Sequence, residues 1–182
     1  MITKFNKFEN KDATNELVVY MLYLIDEIYI NKRKYLLPDV GKVIVLLNRG
    51  ADKNAHDTNN YYGSLLSMSV FIKSLELVQL LVEHKVDIDS QNSIGASPIY
   101  IAASLGYLKI LEYLHKNDAN INNVNDSDIS PLRTAIFNKR WDCACYLLDN
   151  NADINNLINL KNIKCENYQF QKLFMELYPY DF

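Results

Sequence analysis

The residues best able to do chemistry in this chain are its acidic, histidine and cysteine side chains, and their spacing decides what they can do. Residues 87–91 read DIDSQ, which is similar to the start of a calcium-binding loop. Such a loop needs Gly at its sixth position and a bidentate Glu at its twelfth, where this chain has Asn92 and Pro98. The pattern therefore favours side chains that bond to the backbone of a turn.

The histidines give no sign of catalysis. His56, His84 and His115 form no pair at i and i+4, and no HExxH segment occurs. Nucleophilic catalysis needs a base oriented beside a nucleophile, and neither a GxSxG segment nor a glycine-rich phosphate loop is present. We therefore expect no enzyme, no cofactor and no metal ion.

The cysteines and the apolar runs bear on the compartment. Cys143, Cys145 and Cys165 are odd in number and lack zinc-finger spacing, which favours reduced structural thiols in an intracellular protein. The most apolar run, 17–25, is too short to cross a bilayer and predicts a buried helix.

Charge bears on the kind of partner. A net charge of −3 argues against a binder of phosphate backbones, which carries a basic face. The short basic run 32–34 is typical of a solvated loop, with a nuclear-import signal or a site for an acidic partner as the alternative.

The elements that position these residues repeat along the chain. Residues 97–99 (SPI) recur at 130–132 (SPL), and residues 119–122 (ANIN) recur at 152–155 (ADIN), a step of 33 in both cases. This period, with a segment like TPLHxA, resembles the ankyrin repeat, a β-turn followed by two antiparallel helices. The resemblance spans about residues 38–156. It implies an all-α solenoid of helix–turn–helix units with β-turn or hairpin connections, about four repeats and a C-terminal capping helix.

The period predicts the domain organisation. We expect a flexible N-terminus (1–12), an ankyrin-repeat domain (13–160) with repeats near 13–53, 54–86, 87–119 and 120–152, and a capping helix (161–182). Helical spacing predicts the first helix over 15–29, an insertion near 31–37 and a second helix with Pro38 in its first position. Repeat two has two extra residues, which we place at a turn tip in 57–62. The capping helix has one apolar face, formed by Phe170, Leu173, Phe174 and Leu177.

Single positions predict where helices start and end. Ser97 is expected to cap the helix that begins at Pro98, and Gly106 to end it with left-handed backbone. Other residues stand where such glycines are expected: Lys73, Asp128 and Lys139. Each non-Gly residue in left-handed backbone costs about 1 kcal/mol, so we expect the outer repeats to be looser than repeat three. Tyr100 replaces the histidine of the family's motif.

The resemblance also implies a binding surface, since hairpin tips and first helices line a concave face in ankyrin-like folds. Registering the repeats places Phe71, Ser104 and Phe137 at one equivalent position on this face. The tips contribute Tyr61, Tyr62, Ile94 and Ile129. Exposed aromatic side chains are typical interface anchors. The alternative is that Phe71 and Phe137 pack between neighbouring first helices.

These observations predict a non-enzymatic protein–protein interaction module. We expect a monomer that binds a protein partner, not nucleic acid or a membrane, in the cytoplasm or in a host cell's cytoplasm. The alternative is a regulatory, inhibitory or host-targeting factor that occludes its target, since Asn- and Ile-rich ankyrin proteins occur in large DNA viruses and intracellular bacteria.

Overall fold

The computed structural model describes residues 2–33, 37–154 and 172. These residues form α1 (Ile2–Tyr29), α2 (Val40–Asn48), α3 (Leu65–Phe71), α4 (Leu75–Glu83), α5 (Pro98–Leu105), α6 (Leu108–Lys116), α7 (Pro131–Phe137) and α8 (Trp141–Asp149). Within this described part there is no strand, and a single isolated bridge joins His56 to Ser64. The predicted all-α repeat architecture is confirmed.

The chain divides into two compact units, residues 1–93 and 94–182. In the first unit, α1 packs against α2 and α3, and α3 packs against α4. In the second unit, α5 packs against α6 and α7, while α8 packs against α6 and α7. Each unit is thus built from two helix pairs, as a repeated helix–turn–helix sequence requires.

Serine side chains fix the start of the first helix of three pairs. The hydroxyls of Ser64, Ser97 and Ser130 accept hydrogen bonds from the amides three residues later, at 3.3, 3.4 and 3.2 Å. Pro98 and Pro131 occupy the first helical turn, where a missing amide costs nothing. The predicted cap at Ser97 is confirmed.

Left-handed residues end the helices, as the replaced glycines predict. Lys73, Gly106 and Lys139 have φ values of 62°, 78° and 57° at the ends of α3, α5 and α7. Asp128 also has a positive φ, of 56°, at the turn position where Gly95 stands in the preceding repeat. A further row at the ends of the second helices was not predicted: Gly50, Lys85, Asp118 and Asn151. Its spacing in the sequence is the signal that could have revealed it.

The first helix begins earlier than its apolar spacing predicts. Its backbone is helical from Ile2, not only from residue 15, because a polar segment can continue a helix without showing an apolar period. Helix ends fray, so flexibility of residues 1–12 stays a prediction. The expected buried run 17–25 is confirmed in part, since Leu17, Met21 and Leu24 are buried.

Asp39, not Pro38, sets the start of the second helix. The Asp39 carboxylate accepts a hydrogen bond from the Lys42 amide at 3.0 Å, and α2 begins at Val40. The prediction of Pro38 as the first helical residue is wrong because the side-chain cap lies one residue further on. The Asp39 amide donates to the Tyr20 hydroxyl at 2.7 Å, which holds this helix start against α1.

No helix in the described ranges combines the length and the apolar character needed to cross a membrane.

Candidate functional site

The residues predicted to form a binding surface fall in both units, and each unit is described by itself. The first unit contains Tyr61, Tyr62 and Phe71. The second contains Ile94, Ser104, Ile129 and Phe137.

One buried carboxylate organises the tip loop of the first unit, residues 57–63. Asp57 is 6% exposed. Its Oδ1 accepts from the amides of Asn59 and Tyr61 at 2.9 and 3.1 Å. Its Oδ2 accepts from the amides of Tyr62 and Gly63 at 2.6 and 2.9 Å. The two extra residues of repeat two therefore lie in an ordered loop that one side chain holds together.

The insertion lies in the predicted loop, whereas the role of Asp57 was not predicted. Asn92 and Asn125 stand at the equivalent positions of the next two repeats, and this recurrence is the signal that could have found it. Asn125 Oδ1 accepts from the amides of Ser127 and Ile129, both at 3.0 Å. An Asn serves the shorter tips, whereas the longer tip uses both oxygens of a carboxylate.

Four aromatic residues of the first unit form a cluster, which we call the aromatic cluster: Tyr29, Tyr61, Tyr62 and Phe71. The rings of Tyr61 and Tyr62 meet edge to face, with centroids 4.9 Å apart, and those of Tyr62 and Phe71 do so at 5.2 Å. The Tyr29 hydroxyl donates to the Phe71 carbonyl at 3.0 Å. Three predicted residues are thus brought together, and Tyr29, 42 positions from Phe71, was missed.

The aromatic cluster is open to solvent at both of its ends, and at one end Tyr29 is 45% exposed. Tyr61 is 66% exposed, whereas Tyr62 and Phe71 are half-buried. Burial raises the pKa of Tyr62, and the negative charges of Asp26 and Asp57 together with Tyr61 raise it further. The electrostatic environment of the Tyr62 hydroxyl is therefore negative.

Phe137 is the most exposed of the predicted residues in the second unit. It ends α7 with 82% of its surface exposed, although Thr134, Ala135 and Ile136 before it are buried. A side chain with this exposure does not pack between first helices. The packing alternative thus fails for Phe137, whereas half-buried Phe71 packs on Tyr62 of its own repeat.

Ser104 supports the segment that carries Phe137. Its hydroxyl accepts from Asn138 Nδ2 at 3.1 Å, and its carbonyl accepts from Arg140 Nε at 3.4 Å. Ser104 therefore anchors the residues on either side of Lys139. These contacts explain a small polar residue at the repeat position that Phe71 and Phe137 occupy in the neighbouring repeats.

The two tip isoleucines of the second unit differ in exposure. Ile94 is 56% exposed, and its carbonyl accepts from the Asp126 amide at 3.1 Å, which joins its tip to the next one. Ile129 is half-buried; its carbonyl accepts from the Asn125 amide and its amide donates to Asn125 Oδ1, both inside its own turn. Ile94 is available for contact, whereas Ile129 belongs more to the turn.

The residues first considered for chemistry serve the turns. Asp87 Oδ1 accepts from the Asp89 amide at 3.2 Å, as expected for a turn. His56 lies between Asn60 and Ser90, with Nδ1 2.7 Å from Asn60 Oδ1 and Nε2 3.0 Å from Ser90 Oγ. Among the residues that the structure describes, no three His, Cys, Asp or Glu side chains group as metal ligands would.

The Cys143 thiol is buried and not poised for reaction. Cys143 and Cys145 are unbridged. Burial, the largest cause, raises the pKa of Cys143 to about 12, so its thiol is neutral at physiological pH. Cys165 and the predicted capping helix lie outside the described residues.

Residues 66–157, just over half of the chain, match the family model described as Ankyrin repeats (3 copies). The chain belongs to the ankyrin-repeat family. No curated protein matches it significantly. Ankyrin repeats are generally protein–protein interaction modules and are typically not catalytic.

Proposed function

We propose that this protein is a non-enzymatic module that binds a protein partner through its repeat tips and the ends of its first helices. The observation that carries the proposal is the 82% exposure of Phe137 beside a buried stretch of α7. A large aromatic side chain in water favours association, and such residues are frequent hot spots of protein interfaces.

The predicted residues have different roles in this proposal. Phe137, Ile94 and Tyr61 are exposed and act as anchors. Ser104 supports the segment that carries Phe137 through its bond to Asn138, and the Ile129 amide bonds to Asn125 within its own turn. Partner affinity should therefore depend directly on the first three, and indirectly on the other two.

We further propose that the protein acts inside the cell as a monomer and blocks its target by covering part of the target's surface. The unbridged Cys143 and Cys145 support a reducing compartment. The net charge of −3 supports a protein target over a nucleic acid.

The test replaces Phe137 by Ser. We expect Phe137→Ser to weaken partner capture by about 2 kcal/mol or more, as for an interface hot spot, without changing the melting temperature. The matched control is Val45→Ser, which removes an apolar side chain that is 56% exposed on α2 and is not one of the predicted surface residues.

Capture is measured by cross-linking in cells that make the protein, followed by quantitative mass spectrometry of all three forms. The proposal requires a protein that both wild type and Val45→Ser capture and that Phe137→Ser loses. Equal capture by all three forms, or equal loss in both variants, contradicts it.

A further inference from the structure

We infer that the aromatic cluster of the first unit binds an arginine side chain of a protein partner, seated against Tyr61 and paired with Asp26. The inference rests on the proposed function and narrows it to the side-chain chemistry recognised at one place.

The rings of the cluster suit a cation. The edge-to-face contacts of Tyr61 with Tyr62 and of Tyr62 with Phe71 fix the ring orientations, and Tyr61 remains 66% exposed. The face of a tyrosine ring attracts a cation through its quadrupole. A planar guanidinium also stacks on aromatic faces, which a compact ammonium does not, so the geometry favours arginine over lysine.

Two carboxylates near the cluster have no cationic partner among the described residues. Asp26 is exposed, and no residue in the described ranges gives its carboxylate a hydrogen bond or an ion-pair partner. Asp57 is buried and bonded to backbone amides, and within the described ranges it likewise has no ion-pair partner. Asp26 lies one helical turn before Tyr29 on α1, and the Tyr29 hydroxyl bonds to the Phe71 carbonyl, so Asp26 lies on the side of this helix that faces the cluster. Both carboxylates also raise the pKa of Tyr62, after the larger effect of burial, in agreement with this position.

Two other carboxylates of the same unit, those of Glu16 and Glu27, have cationic partners. Glu16 Oε2 lies 3.1 Å from Arg49 Nη1. Glu27 Oε2 lies 3.0 Å from Arg33 Nε and forms an ion pair with it, although the N–H does not point at the oxygen closely enough for a hydrogen bond. Arg33, the arginine next to α1, is thus already engaged, and the open position at Asp26 is left for an arginine from outside.

The loop that presents Tyr61 is ordered before any partner arrives. Besides the Asp57 bonds, Asn92 Nδ2 donates to the Tyr61 carbonyl at 2.9 Å, and the Ser93 amide donates to the Asn60 carbonyl at 2.8 Å. A preordered loop loses little conformational freedom on binding, which favours recognition of a single side chain.

The experiment uses two short probes and the full chain. The peptide acetyl-Gly-Ser-Arg-Ser-Gly-amide and its citrulline analogue, which is neutral and nearly the same shape, are titrated into the ¹⁵N-labelled protein. We expect the arginine peptide to shift the amide resonances of Tyr61 and Tyr62, and the citrulline peptide to bind about tenfold more weakly.

Two charge variants distinguish an effect of the Asp26 carboxylate from an effect of the protein's net charge, and a third variant tests the Tyr61 ring. Asp26→Asn should weaken binding of the arginine peptide about tenfold. Asp12→Asn makes the same change in net charge at another exposed position of α1 and should leave binding unchanged. Tyr61→Leu, which keeps an apolar side chain but removes the ring, should also weaken it.

Equal binding of the two peptides, or equal loss in Asp26→Asn and Asp12→Asn, overturns the inference. Failure of the peptide test with a normal Phe137→Ser capture result refutes only the arginine site. Failure of the capture test refutes the proposed function itself, because Phe137 lies outside the aromatic cluster.

Discussion

Two phenylalanines at equivalent repeat positions have different surroundings. Phe71 is half-buried and meets the Tyr62 ring edge to face at 5.2 Å, whereas Phe137 is 82% exposed. The difference arises from the longer tip loop 57–63, which brings Tyr62 against Phe71. The same repeat position thus has a packing role in one unit and an exposed side chain in the other.

This difference predicts unequal stability effects. Phe137→Ala should change the free energy of unfolding by less than about 0.5 kcal/mol, as is usual at exposed positions. Phe71→Ala should lower it by about 1–2 kcal/mol through the lost ring contact and partial burial, still below the roughly 3–5 kcal/mol of a core Phe deletion. Urea unfolding of both variants is the measurement. A loss of several kcal/mol in Phe137→Ala would show that this side chain belongs to the core.

At the scale of the elements, left-handed residues set where helices stop. The equivalent positions at the ends of α3, α5 and α7 hold Lys73, Gly106 and Lys139, all with positive φ. Only the glycine adopts this backbone without a steric cost from Cβ. The regular helix end of repeat three is therefore less strained than those of its neighbours.

Lys139→Gly should accordingly stabilise the protein by about 1 kcal/mol, since it removes the left-handed penalty. Lys109→Gly is the control, because it makes the same substitution inside α6, where glycine is expected to cost about 1 kcal/mol. Thermal melts of the two variants should shift in opposite directions. A destabilised Lys139→Gly would mean that the lysine side chain contributes more than its backbone costs.

For the molecule as a whole, α8 is the last helix with described bounds in the second unit. Leu147 and Leu148 on this helix are buried. The sequence predicts that the capping helix packs against these two residues. We propose that residues 161–182 cap the repeats, as the ends of solenoid proteins require.

Truncation after Asn155 should then lower the melting temperature and promote aggregation. Each buried apolar side chain of the cap contributes about 1.5–3 kcal/mol before the cost of ordering it. Phe174→Ser in the full chain should reproduce part of this loss, whereas Lys172→Ser, at an exposed position, should not. An unchanged melting curve of the truncated protein would show that the segment is a separate appendage.

Features that depend on local contacts could be predicted from the sequence. The Ser97 and Ser130 caps, and the left-handed Lys73, Asp128 and Lys139, could be predicted because each involves only a residue and the backbone next to it. The 33-residue period then yielded the repeat architecture and the family. The start of α2 was missed because two adjacent residues, Pro38 and Asp39, both suit a helix start.

Long-range packing sets which predicted residues meet and which face solvent, and the sequence does not show it. Tyr29 joins Phe71 from another helix, and Ser104 bonds to Asn138 of the next repeat. A repeat period aligns backbone positions, but the exposure of a side chain depends on the atoms that neighbouring elements place around it. For this reason the repeat period predicts the same role for Phe71 and Phe137, whereas their surroundings in the fold differ.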